Sequence, residues 1–196
     1  MNKTGKQALF NRAITEAALE ILGADEMRGL IPAEEQVRSK DLQMMSPIAL
    51  IAQLGNEFCI RYHRNTAQGL LLRIGEAAFT ILRQHIPELQ VLGNLENRLQ
   101  PLSVRFSANT QIFANILTQY SGIPVSSVKI SREKYCLKFS DDAVESVDDL
   151  HNHFFIGLLR AYGVWMDSRK DYFLSIIAGE NDQETDRVCF TIAEFE

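Results

Sequence analysis

The first turns of the chain carry the rhythm of a helix. Leu9, Phe10, Ala13, Ile14, Ala17, Ala18 and Ile21 recur at the spacing of one helical face. Thr4 with Gln7 three residues on makes a capping box, and Gly23 is placed to end the helix. A short helix is expected around "ADEMRGL", stopped by Pro32, and residues 32–45 read as a polar connector. Ser46–Pro47 is a second start signal, an N-cap followed by proline in the first turn. The helix behind it buries Ile48, Ile51, Leu54, Gly55, Phe58 and Tyr62. A longer helix begins near Arg64, in "RNTAQGLLLRIGEAAFTILRQHI". Ala67, Leu70, Leu71, Ile74, Ala78, Ile81 and Leu82 form one stripe on it, and Leu72, Gly75, Phe79 and Ile86 form a second. Two adjacent stripes predict a helix that is central or shared with a partner subunit. Gly69, Gly75, Ala77 and Ala78 leave room for another backbone to approach.

Pro87 stops that helix, and residues 88–102 read as irregular. "RFSANTQIFANILTQYSG" is again helical, closed by Gly122. The period then changes from 3.6 to 2. In "VSSVKI" and "KYCLKFS" apolar and polar residues alternate, which predicts a hairpin with one wet face turning at "SREK". The acidic segment "DDAVESVDDL" leads into the helix "HNHFFIGLL". Two more strands follow, "DYFLSIIA" and "RVCFTIAEF", joined by "GENDQETD". The expected fold class is α+β: an antiparallel β-sheet of about four strands packed against several helices. Residues 1–45 are expected to be an N-terminal helical extension packed on a domain formed by residues 46–196.

Charge and composition then remove several functions. The net charge is −5. No basic surface follows a phosphate backbone, so nucleic acid is not an expected partner. The N-terminus lacks the apolar core of a signal peptide, and the longest apolar runs are too short for a membrane span. A cytoplasmic protein is expected. Cys59, Cys136 and Cys189 are far apart and form no C-x-x-C pair. No Gly-rich phosphate loop follows a strand.

The pair His151 and His153 is the most tempting chemical feature. Residues two apart on a helix diverge by about 200°. The two imidazoles therefore point to opposite sides, His151 onto the apolar face, and do not make a joint metal site. Cys136 lies on the lysine-bearing face of the first hairpin, where Lys134 and Lys138 favour the thiolate. It is the most plausible reactive thiol, but no histidine lies near it in sequence. The eleven phenylalanines, five tyrosines and one tryptophan are core, with some available to line a pocket.

"ITEAALEILGADEMRGLI", "YHRNTAQGLLLRIGEAAFTIL", "HNHFFIGLLRAYG" and "DYFLSIIAGENDQETDRVCFTI" together resemble the 4-vinyl reductase domain family, also described as hydrocarbon-binding. The resemblance runs from about residue 12 to the end, and its most family-like piece is "RNTAQGLLLRIGEAAF". It implies an α+β architecture shared with haem-based nitric-oxide sensors and a vesicle-tethering subunit. It also implies a homodimer and an apolar cavity. Members often carry cysteines suited to a metal. Here none falls between Asp141 and Val188; Val188 stands at one cysteine position, and Cys189 is on the opposite face of its strand. No metal and no cofactor are therefore expected, and no haem ligand carries over.

These readings converge on a non-enzymatic module, homodimeric, that binds a small hydrophobic ligand. Leu72, Phe79, Phe113, His151 and Phe155 are its candidate pocket-lining residues; no catalytic residue is assigned. Two alternatives stay open: an enzyme or accessory subunit of tetrapyrrole (bacteriochlorophyll) metabolism, and a protein–protein interaction or scaffold domain.

Overall fold

The computed structural model describes residues 3–30, 45–94, 102–129, 134–139, 150–166, 171–177 and 187–193. Most of the connector at 32–45, the turn before Lys134, the acidic lead into Leu150 and the turn "GENDQETD" lie outside the described residues.

Helices α1 (Lys3–Leu22) and α2 (Ala24–Leu30) are separated by Gly23, whose φ of 84° is the left-handed conformation open to glycine. Helix α3 (Pro47–Arg61) opens as its sequence predicts. Ser46 is extended, its Oγ accepts the Ala49 N–H at 3.3 Å, and Pro47 occupies the first turn. Ser46→Ala should cost about 1 kcal/mol, read as a lower thermal midpoint. Ser46→Asp keeps an acceptor and should lose little; equal losses in the two variants would show that capping is not the cause.

Helix α4 (Arg64–His85) stops just before Pro87, as expected. The stretch after it is partly a correction: Pro87 begins a further helix, α5 (Pro87–Leu92). A proline that cannot continue one helix is well suited to start the next. Then come α6 (Leu102–Ser121), β1 (Val125–Lys129), β2 (Lys134–Phe139), α7 (Leu150–Met166), β3 (Asp171–Ile177) and β4 (Arg187–Ala193).

The strands form an antiparallel sheet in the order β1-β2-β4-β3. The β2–β4 pairing joins the two sequential hairpins. Thr118 on α6 fixes the start of β1: its Oγ1 accepts the Val125 N–H at 2.8 Å and donates to the Val125 carbonyl at 3.1 Å. Ser127 Oγ donates to Gln111 Oε1 at 2.7 Å, also on α6.

The fold class read from the sequence, a sheet with helices packed against it, is corrected by the packing. The fold is dominated by helices, and its principal interface is between two of them, α4 and α7. Among the described side chains, the strands add only Val125 and Leu137 to the buried apolar core; the helices supply most of the rest. The reason lies in α7. Its sequence was read as having one apolar face, yet Leu150, His151, Asn152, Phe154, Phe155, Ile156, Gly157, Leu158, Leu159 and Tyr162 are all buried. A helix buried nearly all round needs other helices on several sides, and strands of five to seven residues cannot supply that cover. α1 adds Phe10, Ala13, Ile14, Ala17 and Ala18 to the same core.

The second apolar stripe of α4 faces this same chain, which removes the sequence argument for a partner subunit. Phe79 and Ile86 are buried within the chain. A Cβ at Gly75 would lie 2.0 Å from the Phe154 carbonyl oxygen, and one at Gly157 would lie 1.9 Å from the Leu72 carbonyl oxygen. The two helices thus cross backbone to backbone at a pair of glycines. Among the described residues, the large apolar side chains that are exposed, Leu19, Ile60, Val91, Ile112, Val128 and Val164, lie on six different elements.

Candidate functional site

Phe79 of α4 and Phe113 of α6 meet in the core, ring centroids 6.0 Å apart and edge to face. Tyr162 of α7 stacks on Phe113 at 4.2 Å with the rings parallel, and lies 6.1 Å from Phe79. Trp165 closes the cluster, 5.8 Å from Phe79. The other three candidates lie elsewhere. Phe155 packs edge to face on Phe154, at 5.5 Å. Leu72 is half-buried at the α4–α7 crossing. His151 is buried in the first turn of α7, 2% exposed, and is engaged within the protein. His153, expected on the surface, is half-buried.

Above the aromatic cluster the surface opens into a groove of about 590 Å³ between α4 and α7, with Ile21 of α1 at one side. Its floor is Phe79, Ala77, Ala161, Val164 and Trp165. Its polar residues are Arg73, Glu76, Thr80, Arg83 and Arg160. Helical spacing assembles it: positions 73, 76, 77, 80 and 83 share one side of α4, and 160, 161, 164 and 165 share one side of α7. The groove is therefore the wet flank of two helices whose other flanks are core.

Three guanidiniums face one carboxylate here. Glu76 Oε1 lies 3.4 Å from Arg160 Nη1, an exposed pair of small worth to stability. The Arg83 guanidinium sits 5.9 Å over the Trp165 ring. Arg73 has no ion pair among the described residues. The described lining of the groove is thus net positive in a chain of net charge −5. An apolar floor with guanidiniums above it is chemically suited to a group that is apolar at one end and anionic at the other. The hydroxyl of Thr80 donates back to the Glu76 carbonyl at 3.4 Å, and no nucleophile–base pair occurs among the lining residues.

Sequence reading singled out Phe79 but passed over the arginines. Their signal was available: Arg73, Thr80 and Arg83 recur along the polar flank of α4 at helical spacing, and Arg160 stands beside Ala161 and Val164 on one side of α7. Among the described residues no cluster of three or more His, Cys, Asp or Glu could hold a metal.

No protein-family model matches the chain, and no curated protein matches it. The 4-vinyl reductase resemblance therefore has no match of its own. Solved structures do match. The Fe(II) unliganded H-NOX protein from K. algicida superposes with a TM-score of 0.59 at 11% identity, over 96% of this chain and 97% of that one. An oxygen-binding H-NOX domain related to soluble guanylate cyclases gives 0.58 at 9% identity, over 97% of each chain. A phenylalanine-for-isoleucine variant of the T. Tengcongensis H-NOX gives 0.55 at 9% identity, over 96% of this chain and 98% of that one. At such identities the likeness is one of architecture, and this chain has the helix-dominated fold of the H-NOX domains.

Proposed function

We propose that this chain is a non-enzymatic binding module that senses a small molecule with an apolar body and an anionic end, held in the α4–α7 groove. The observation that carries the reading is the pairing of an aromatic floor, Phe79 and Trp165, with the uncompensated guanidiniums of Arg73 and Arg83. The fold supports it by likeness, since solved H-NOX domains include an oxygen-binding one. So does the hydrocarbon-binding resemblance of the sequence. No described helix is long and apolar enough to cross a membrane.

Haem, the group this fold and the sequence resemblance bring to mind, does not fit the residues present. Haem iron needs an axial His, Cys, Met or Tyr beside an apolar slot. The groove is lined by none of these. The space between α4, α6 and α7 is filled by the Phe79, Phe113 and Tyr162 rings. No histidine lines the groove: His63 and His85 are exposed at the two ends of α4, His153 is half-buried, and His151 is buried in the first turn of α7. Titration with hemin should give no sharpened Soret band; a stoichiometric one would overturn this exclusion.

Trp165 is the only tryptophan of the chain and lies in the groove floor, so its emission reports occupancy. Dodecanoate should shift that emission saturably, and dodecanol should bind more weakly. A hydrogen bond to a charged group contributes about 1.5–3 kcal/mol, so Arg73→Glu with Arg83→Glu should weaken dodecanoate by about tenfold or more. Unchanged emission up to the solubility limit, or equal binding of acid and alcohol, would remove the anionic-ligand reading.

A further inference from the structure

The β2–β4 pairing brings together two cysteines that are remote in sequence. Cys136 stands directly opposite Cys189 in the ladder. Opposed residues of antiparallel strands have Cα atoms about 4.5 or 5.5 Å apart, depending on whether the pair exchanges hydrogen bonds. Disulfides span about 4.4–6.8 Å between Cα atoms. Either kind of pair therefore meets the distance requirement without backbone movement.

The same register places the pair on the outer face of the sheet. Side chains alternate between faces along a strand. Leu137, next to Cys136, is fully buried and marks the inner face. On β1, Val128 is the register partner of Cys136 and is 37% exposed; Ser126, opposite Lys138, is exposed too. Lys134 and Lys138 lie two residues either side of Cys136, and Arg187 lies two residues from Cys189, all at register positions of this outer face. Neighbouring cations favour the thiolate, the reactive form.

We propose that Cys136 and Cys189 form a reversible cross-strand disulfide when the protein meets a hydroperoxide. With hydrogen peroxide, the simplest hydroperoxide, one thiolate attacks one oxygen; the S–O bond forms, the O–O bond breaks, and the other oxygen takes up a proton and leaves as water, giving a sulfenic acid. The second thiolate attacks that sulfur; the S–S bond forms, the S–O bond breaks, and a second water leaves. Two thiols lose two electrons in total and the peroxide gains them. A dithiol reverses the step by exchange. The bond staples the first hairpin to the second across the only ladder that joins them among the described strands. It needs nothing from the groove.

The test is thiol counting on the full chain after mild hydrogen peroxide. Alkylatable cysteines should fall from three to one, with loss of two hydrogens in the intact mass. Digestion should yield a peptide linking Cys136 to Cys189, and dithiothreitol should restore all three thiols. Cys59→Ser should still form the link; Cys136→Ser and Cys189→Ser should each abolish it. Three thiols still alkylatable, a link through Cys59 or between molecules, or sulfinic acid at Cys136 with no link would each overturn the proposal.

Discussion

Gly157→Ala should destabilise the protein by about 3 kcal/mol or more, the upper end of what overpacking costs. The new Cβ would lie 1.9 Å from the Leu72 carbonyl oxygen and 2.7 Å from its carbon. These are backbone atoms of the facing helix, so no rotamer change relieves the overlap. Restoring ordinary contact requires α4 and α7 to separate by roughly 1–1.5 Å, and close-packed interiors do not absorb such a shift locally. Gly75→Ala should behave alike, because its Cβ would lie 2.0 Å from the Phe154 carbonyl oxygen. The double variant should cost less than the sum, since one separation relieves both contacts. Gly69→Ala is the control. It lies exposed on α4 with no atom within 4 Å of its added Cβ. It should raise stability by about 0.5–1 kcal/mol through helix propensity alone. Urea unfolding of the four variants decides the matter. Losses below about 1 kcal/mol at both Gly75 and Gly157 would mean that the helices do not cross at these residues.

The glycines also mark how far the sequence could be read. Gly69 and Gly75 both read as small residues that leave room for another backbone, yet only Gly75, which lies on the second apolar stripe, meets one. Period and spacing report which side of a helix is apolar; they do not report which neighbour covers it. The local signals carried well for that reason. Ser46–Pro47 starts α3, Gly23 ends α1, and the alternation in "KYCLKFS" lies on a strand. Relations between distant segments were not legible. The facing of Cys136 and Cys189 depends on a register set by pairing, and Cys189 was understood only as missing a family position. The groove was hidden for the same reason. Arg73 and Arg83 on one helix and Arg160 on another become a site only once α4 and α7 lie side by side. Phe79 is legible from its stripe, but its companions Tyr162 and Trp165 stand on another helix and join it only through packing.

Phe79→Ala should be the most informative single change, because this residue belongs to both core and groove. Its ring is 2% exposed and contacts Phe113, Tyr162 and Trp165. Truncating a buried phenylalanine costs about 3–5 kcal/mol, the transfer term plus the cavity left behind. Collapse is resisted here, since the parallel Phe113–Tyr162 stack holds one wall and the glycine crossing fixes the separation of α4 and α7. The cost should therefore fall in the upper half of that range. Phe79→Leu retains most of the volume and should lose much less. Trp165 supplies an independent readout, since its emission should change when the ring beside it is removed. A dry apolar cavity binds small aromatics, so benzene should restore part of the thermal midpoint of Phe79→Ala and leave the parent unchanged, because ligand binding to the folded state alone raises stability by mass action. A loss near 1 kcal/mol, far below the cavity range, would instead mean that the ring is not part of the packed core. The groove would then lack the rigid floor on which ligand recognition depends, and the arginines above it would be no more than solvated surface charges.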